Sequence, residues 1–463
     1  MAPENGGHGR SARYADVWLP LRRGLENFMA RKRVVITGMG WVTPLGCDVE
    51  AVWKKLLNGE SGIAPTTLFD ARTFPTSFAA EVKEFPAEPA LKDPRDYVGR
   101  NTSFALAAAR QAWRSSGLPM AGEPGDKTLD HYGIGVYLGS GDGSLDFNSF
   151  THAALLAWDA AAKKVNTAVW GTEALASFSA VREFEQEPSM PLAHISQEFQ
   201  AYGPALNCLT ACAASTQAIG EATEIIRSGQ ADIMISGGAH SMIHPFGVTG
   251  FNRLTALSTF NDNPRGACRP FDATRGGFVL GEGAGIVILE SLEHARRRGA
   301  HIWAEVAGYG SSADAYRVTD QHPEGRGAVT AIQEALADAQ MTPADIDYIN
   351  AHGTGTKEND STETLAIKFV FGERAKQVPI SSIKSMMGHL IAAAGAVEAI
   401  ACVLTIRDGI IAPTANYSVF DPECDLDYVP NKARAANVEV AMSNSFGFGG
   451  QNDTIIVQRF HES

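Results

Sequence analysis

Short runs of β-branched and apolar residues, each ending in glycines, recur along the chain and set the expected architecture. Arg33 to Gly40 is the first and reads as a buried strand running into a loop. Tyr132 to Leu138 leads into Gly139-Ser140-Gly141-Asp142-Gly143, and Asp232 to Ala239 carries Gly237-Gly238. A fourth strand, Ile286 to Glu290, follows the glycine-dense stretch from Gly276 to Gly285, where backbone must pass close to backbone or ligand. Between these strands the apolar positions recur at helical spacing over Val49 to Leu57, Ser103 to Ser116 and Gln217 to Gly229. Ala153 to Lys163 also has a helical pattern. It lies in a stretch, 144–200, with the aromatics Trp158, Trp170, Phe178 and Phe184, which reads as a cap or dimer-contact layer.

From Ala300 the pattern begins again. Strands are expected at Trp303 to Gly308, Ile346 to Asn350 and Val378 to Ser382, and helices at Gly327 to Ala339, Ser361 to Phe371 and Leu390 to Arg407. A last strand, Asp453 to Gln458, follows a loop from Ser443 to Gly450. Ile406-Arg407-Asp408-Gly409 echoes Ile226-Arg227-Ser228-Gly229, which hints at a duplication. Strands alternating with helices predict largely parallel sheets covered on both faces, in a layered α/β protein of two halves. The expected division is 1–31 as an N-terminal extension without fixed structure, 32–290 as the first half with a cap insertion, and 291–463 as the second.

Composition narrows the function. At 44% hydrophobic and 20% charged, the 463 residues can bury a large core, and a net charge of -13 argues against a nucleic-acid partner. No apolar run reaches the roughly 18 residues a membrane span needs. The six cysteines are scattered without a CxxC pair, which suits a reducing, cytoplasmic setting. Residues 1–28 lack the apolar core of a secretion signal, and Met29 is an alternative start. The glycines after the first strand do not complete a dinucleotide fingerprint, since Thr43 stands where the third glycine would fall.

Cys212, in Thr210-Ala211-Cys212-Ala213-Ala214-Ser215, sits where a loop passes into a helix. There the free N–H groups of the first turn and the helix dipole favour thiolate. Taken alone it reads equally as a buried small hydrophobe. Cys208 is four residues away, but no His or Cys cluster accompanies the pair, so metal binding is not expected there. Three later segments place polar residues at strand ends: Asn350 to Thr356 with His352, Ser381 to His389, and the loop around Phe448. Ligands gather at the carboxyl ends of strands in such sheets. One cysteine and two histidines suffice for acyl transfer.

Taken together, Thr210-Ala211-Cys212, His352-Gly353-Thr354-Gly355-Thr356, Lys384-Ser385-Met386-Met387-Gly388-His389 and Asn444-Ser445-Phe446-Gly447-Phe448-Gly449-Gly450 resemble the signatures of the β-ketoacyl-acyl-carrier-protein synthases, most closely the elongating synthase II type. Arg269-Pro270-Phe271-Asp272 and Gly277 to Gly285 match as well, and the similarity runs from about Arg33 to Gln458. The resemblance implies a thiolase-like fold, five αβαβα layers built from two duplicated halves, working as a homodimer. It implies that Cys212 carries the acyl chain as a thioester. His352 and His389 would assist decarboxylation of malonyl carrier protein, Lys384 would support them, and Phe448 would be both oxyanion donor and gate. Thr354 and Thr356 match positions along the pantetheine channel. Phe251 and Phe278 match aromatic positions of the acyl and pantetheine pockets, with ordinary core packing as the alternative. No cofactor is required beyond the phosphopantetheine of the carrier protein. Asn350, Glu398, Ser443 and Asn444 match the surroundings of a structural monovalent cation.

Several residues depart from that pattern. Asp142 stands where relatives carry an apolar acyl-pocket residue, which puts a long saturated chain in doubt. Ile383 and Met387 replace threonines, and Thr255 replaces an arginine. Gly355 and Lys357-Glu358-Asn359-Asp360 look more like polyketide ketosynthases, and Ser144 to Met190 is longer than in close relatives. A ketosynthase of a type II polyketide or polyene pathway is therefore the second reading, and a heterodimer with a related chain stays open. Carrier protein is acidic, and Lys92, Arg95, Arg100, Arg253 and Arg265 are the candidate basic contacts.

Overall fold

The computed structural model describes residues 31–83, 85, 97–120, 122–123, 125–141 and 146–462. Strands β1 (Val34–Val42), β2 (Ile134–Ser140), β3 (Ala205–Cys208), β4 (Ile233–His240) and β5 (Gly283–Ser291) form a first set of five. Strands β6 (Ala304–Ala313), β7 (Tyr348–Asn350), β8 (Ile380–Ser381), β9 (Val440–Phe446) and β10 (Gln451–Gln458) form a second. One ladder runs through both, in the order β8-β7-β9-β10-β6-β1-β5-β4-β2-β3. Divided where β1 meets β6, the two sets match strand for strand. β2 lies parallel to β3 and β4, as β7 does to β8 and β9. β5 runs antiparallel to β4 and β1, as β10 does to β9 and β6.

The helices are α1 (Val49–Leu57), α2 (Arg100–Ser116), α3 (Phe147–Leu156), α4 (Thr167–Ser177), α5 (Met190–Glu198), α6 (Ala214–Arg227), α7 (Pro245–Arg253), α8 (Arg326–Asp338), α9 (Lys357–Phe371) and α10 (Ala394–Asp408), with shorter turns between them. α2 packs on β1 and β5, α8 on β6 and β10 with α9 beside it, and α6 and α10 lie between the two sets of strands. This is the αβαβα layering. The strands bury both faces with period two: Val287 and Leu289 of β5 enter the middle core, while Ile286 and Ile288 enter the core under α2. Every residue of α10 from Ala394 to Ile406 is buried, as a helix apolar on all sides must be.

Four expectations need correction. The sheet is mixed rather than largely parallel, because β5 and β10 insert antiparallel between neighbours. The helix expected over 153–163 ends at Leu156. There Trp158–Asp159 pairs with Lys164–Val165, and the Asp159 carboxylate accepts the N–H groups of Ala161 and Ala162 at 2.9 Å, a turn that competes with helix. The first part of the segment read as a loop, Ser443 to Phe446, is the end of strand β9, and Gly447 to Gly450 remains a loop. Arg31, counted with the extension, bonds Asp338 and Glu224. Residues 1–30 lie outside the described residues.

α6 and α10 cross at their first turns. A Cβ on Gly395 would stand 1.9 Å from Thr216 Oγ1 and 3.0 Å from Thr216 N, so only glycine permits this approach. Gly395→Ala is expected to lower stability by about 1–3 kcal/mol through overpacking. The check is the urea midpoint at unchanged slope.

Candidate active site

Both middle helices are entered through a tight turn with the same unusual backbone. Ala211 opens the turn Ala211–Ala213 before α6 with φ 48°, and Ile391 opens Ile391–Ala393 before α10 with φ 45°. A left-handed non-glycine residue costs roughly 1–2 kcal/mol, and it persists where packing over-determines it. The first turn holds Cys212, which is buried. The second follows His389 by two residues. β7 runs directly into His352, and the 384–387 helical turn carries Lys384.

The thiol and the two imidazoles, drawn from three places in the chain, meet. One ligand atom each from Cys212, His352 and His389 lies within 4.8 Å of the others, and the imidazole centroids stand 5.3 Å apart at 83°. A thiol and two imidazoles at that spacing could also hold a soft metal ion such as zinc. Cys208 plays no part in the cluster; its thiol faces the carbonyl of Ala214. Cys212, His352 and His389 line a cavity of about 340 Å³ together with Thr354, Thr356, Phe278 and Phe448.

Burial dominates the electrostatics. It pushes the Cys212 thiol up to about 11, against the pull of the Phe448 N–H, the Lys384 charge and the Cys212 N–H. The thiolate favoured by a helix start is thus outweighed by desolvation, and the resting group is a thiol. Both histidines are held well below their ordinary range, by burial first and by the Lys384 charge second, so both rings are neutral near pH 7. The Ile391 N–H donates to His389 Nδ1 at 3.3 Å, which assigns the ring proton to Nε2; that atom is buried without a partner. The backbone of His389 is pinned by its N–H to Val279 O at 2.7 Å.

Beneath the rings lies a set of groups only partly anticipated. Lys384 is buried against Glu398, whose pKa burial raises and Lys384 lowers. Glu363 was not singled out in the sequence. Its carboxylate accepts the N–H groups of His352 and Gly353, each at 2.8 Å, and Asn444 Nδ2 at 3.3 Å, while burial lifts it to about 7. Its only sequence signal was an acid facing inward from a helix three turns after the His352 strand.

Other expected residues divide. Thr354 and Thr356 bond each other at 3.0 Å at the cavity wall, and Thr356 caps α9. Phe251 and Phe278 meet edge-on at 5.5 Å in an apolar cluster containing Cys212. Gly449 and Gly450, with φ 87° and 78°, follow Phe448 and give that loop its turn. Ile383 and Met387 do not reach the cavity; they are buried in the middle core. Arg100 is engaged with the buried Glu282, so it does not serve as a free basic contact, whereas Arg253 and Arg265 are exposed. Asp142, Lys92 and Arg95 lie outside the described residues.

Comparison with known proteins adds kinship to this geometry. Residues 31–295 match the family model of the β-ketoacyl synthase N-terminal domain, and residues 303–418 match that of the C-terminal domain. This chain belongs to the β-ketoacyl synthase family. The synthase is 42% identical over 434 residues to a 3-oxoacyl-[acyl-carrier-protein] synthase 2 of Coxiella burnetii, covering 93% of this chain and 99% of that relative. It is 43% identical over 430 residues to one of Staphylococcus aureus, with the same coverage. Among solved structures it superposes with TM-score 0.81 and 35% identity on a type II polyketide synthase acyl-carrier protein in complex with its ketosynthase, covering 93% of this chain and 100% of that one. The ishigamide ketosynthase/chain length factor gives TM-score 0.81, 37% identity and the same coverage.

A thiol raised to about 11 makes a definite prediction. Alkylation of Cys212 in the free synthase should quicken about tenfold per pH unit between pH 7 and 9, since thiolate is the nucleophile. A rate flat above pH 7, followed by peptide mapping, would contradict it.

Proposed function

We propose that this synthase is an elongating β-ketoacyl-acyl-carrier-protein synthase of fatty-acid type, and that Cys212 carries the acyl chain. The observation that carries the reading is the meeting of one thiol and two neutral imidazoles in a buried pocket that opens to the surface past Thr354 and Thr356.

The Cys212 sulfur attacks the acyl thioester of carrier protein. His352, the ring with an uncommitted Nδ1, takes the thiol proton and returns it to the departing pantetheine thiolate. The N–H groups of Cys212 and Phe448, both directed at the sulfur, hold the oxyanion of each tetrahedral intermediate. Malonyl carrier protein then loses CO₂. The electron pair of the broken C–C bond forms an enolate, whose oxygen is held by N–H donors from His389 and His352. The carbanion attacks the acyl-Cys212 carbonyl, the thiolate leaves and is protonated, and the product is a 3-oxoacyl carrier protein two carbons longer. Neutral rings suit this role: a donor aimed at developing charge needs no charge of its own. Lys384, fixed by Glu398, supplies a positive field rather than a proton.

Asn350, Glu398 and Ser443 would hold a monovalent cation. The carboxamide of Asn350, Glu398 Oε2 and Ser443 Oγ are buried without partners, and Asn350 faces Ser443 across the β7–β9 pair. Such an ion would balance the buried carboxylates. Asn444 is committed elsewhere, to Glu363 and Thr454.

Acyl carrier protein is the proposed partner, approached through Arg253 and Arg265, in a cytoplasmic setting suited to six free cysteines. A homodimer is the proposed assembly. β3 is an edge strand with Ala205 and Leu206 exposed, and such an edge invites pairing with a second chain. A heterodimer is the alternative. The polyketide or polyene pathway remains the second reading, favoured by the solved ketosynthases named above and by Lys357, Glu358 and Asn359 at the cavity mouth.

Cys212→Ala is expected to abolish condensation. His352→Ala or His389→Ala should slow malonyl decarboxylation by about 10²–10³, the worth of a lost oxyanion donor. Radiolabelled CO₂ release and product chromatography measure both. Full condensing activity in purified Cys212→Ala would overturn the mechanism.

A further inference from the structure

His240 ends β4, is 1% exposed, and has no hydrogen-bond partner at either ring nitrogen. A buried polar group left unpaired is costly, and native proteins rarely tolerate it without a water or ligand to complete the bond. Two such nitrogens on one ring demand an explanation that the described residues do not supply.

Position supplies one. Side chains alternate along β4: Ile235 and Ala239 enter the core under α2, while a Cβ on Gly238 would lie 2.7 Å from Ala392 O and 2.8 Å from Ser215 Cβ. His240 shares the face of Gly238. That face meets the starts of α6 and α10 and the turn from Ile391 that enters α10, the counterpart of the turn that holds Cys212. A Cβ on Gly141, just past β2, would stand 2.3 Å from His240 Nδ1, so the ring rests against that backbone. Beyond His240 the chain passes through Ile243, Val248 and Phe251, which pack with Cys212, Ile391 and Phe448 in one apolar cluster. On the ketosynthase reading, the cavity that Cys212 lines is the channel for pantetheine. On that reading an acyl chain on the sulfur extends into this cluster, of which Ile243, three residues after His240, is part. Burial, with His244 adding to it, drives the ring down to about 3, so it is neutral and offers one donor and one acceptor.

We propose that His240 is a specificity residue that hydrogen-bonds an oxygen function on the acyl chain, so that the synthase takes oxygenated acyl groups in preference to fully saturated ones. The inference rests on the ketosynthase reading but not on its fatty-acid form, since an oxygenated chain is the substrate class of the polyketide alternative. A hydroxyl matches the neutral ring as both donor and acceptor. A saturated chain at the same place leaves the ring unpaired, and sites built to bond a hydroxyl discriminate against analogues that lack it.

The test is the rate at which the full-length enzyme is acylated at Cys212, followed by intact-protein mass spectrometry. The probes are hexanoyl carrier protein and 3-, 4- and 5-hydroxyhexanoyl carrier proteins. At least one hydroxylated chain should load about tenfold faster than hexanoyl, the worth of one satisfied buried hydrogen bond. His240→Leu should reverse that order, and His240→Gln, which keeps a donor and an acceptor, should restore part of it. Equal loading of all four chains by the natural enzyme, or a preference that survives His240→Leu, overturns the proposal and leaves the ring to a trapped water. The wild-type comparison decides even if a variant fails to fold. No acylation by any chain would instead overturn the ketosynthase reading itself.

Discussion

The two middle-layer helices touch at their first turns, and the site is built on that contact. Gly395 of α10 lies against Thr216 of α6, and Thr216 Oγ1 bonds Ser445 of β9 at 2.8 Å, tying both helices to the second set of strands. Ser215 Oγ accepts the Ala396 N–H at 2.9 Å from the opposite side. Because each helix is entered through the same left-handed turn, the contact fixes the direction in which Cys212 projects and the place where His389 arrives. The duplication explains why two halves with so little sequence in common make one pocket. The turn that presents the thiol in the first half has its counterpart in the second, where the equivalent of Cys212 is Ala392 and the chemistry moves to the preceding histidine.

Dryness follows from the same packing. With the site enclosed between the two sets of strands, a neutral thiol and neutral imidazoles are the resting states, and the titratable groups next to them are Lys384, Glu398 and Glu363. A site of this kind stores no thiolate in advance. It supplies N–H donors already oriented toward the charges that reaction creates, which is where preorganised dipoles lower a barrier.

Much of this was legible in the sequence. β1, β2, β4 and β5 and the helices α1, α2, α8 and α9 follow from apolar runs, glycines and helical spacing, because their cores are built from Val, Ile, Leu and Ala. β9 was not, since Ser443, Asn444 and Ser445 look like loop residues; Thr454 and Glu363 satisfy Asn444 in the interior, and Thr216 satisfies Ser445. β3 was too short to show a period, and the antiparallel placement of β5 and β10 depends on neighbours far away in sequence. Of the site, the thiol and both histidines could be named from their motifs. Their neutral state could not, because burial is a property of the folded whole. Glu363 and His240 escaped for the same reason: each is ordinary in its local sequence and becomes unusual only when its surroundings close.

The proposed mechanism requires that Cys212, among six cysteines, receive the acyl group. Incubation of the full-length protein with radiolabelled acyl carrier protein, followed by proteolysis and peptide mass spectrometry, tests it directly. One acyl group per chain is expected, held as a thioester on the peptide containing Cys212. Label on any other residue, or a chain that stays unacylated while Cys212 remains free to alkylation, would contradict it.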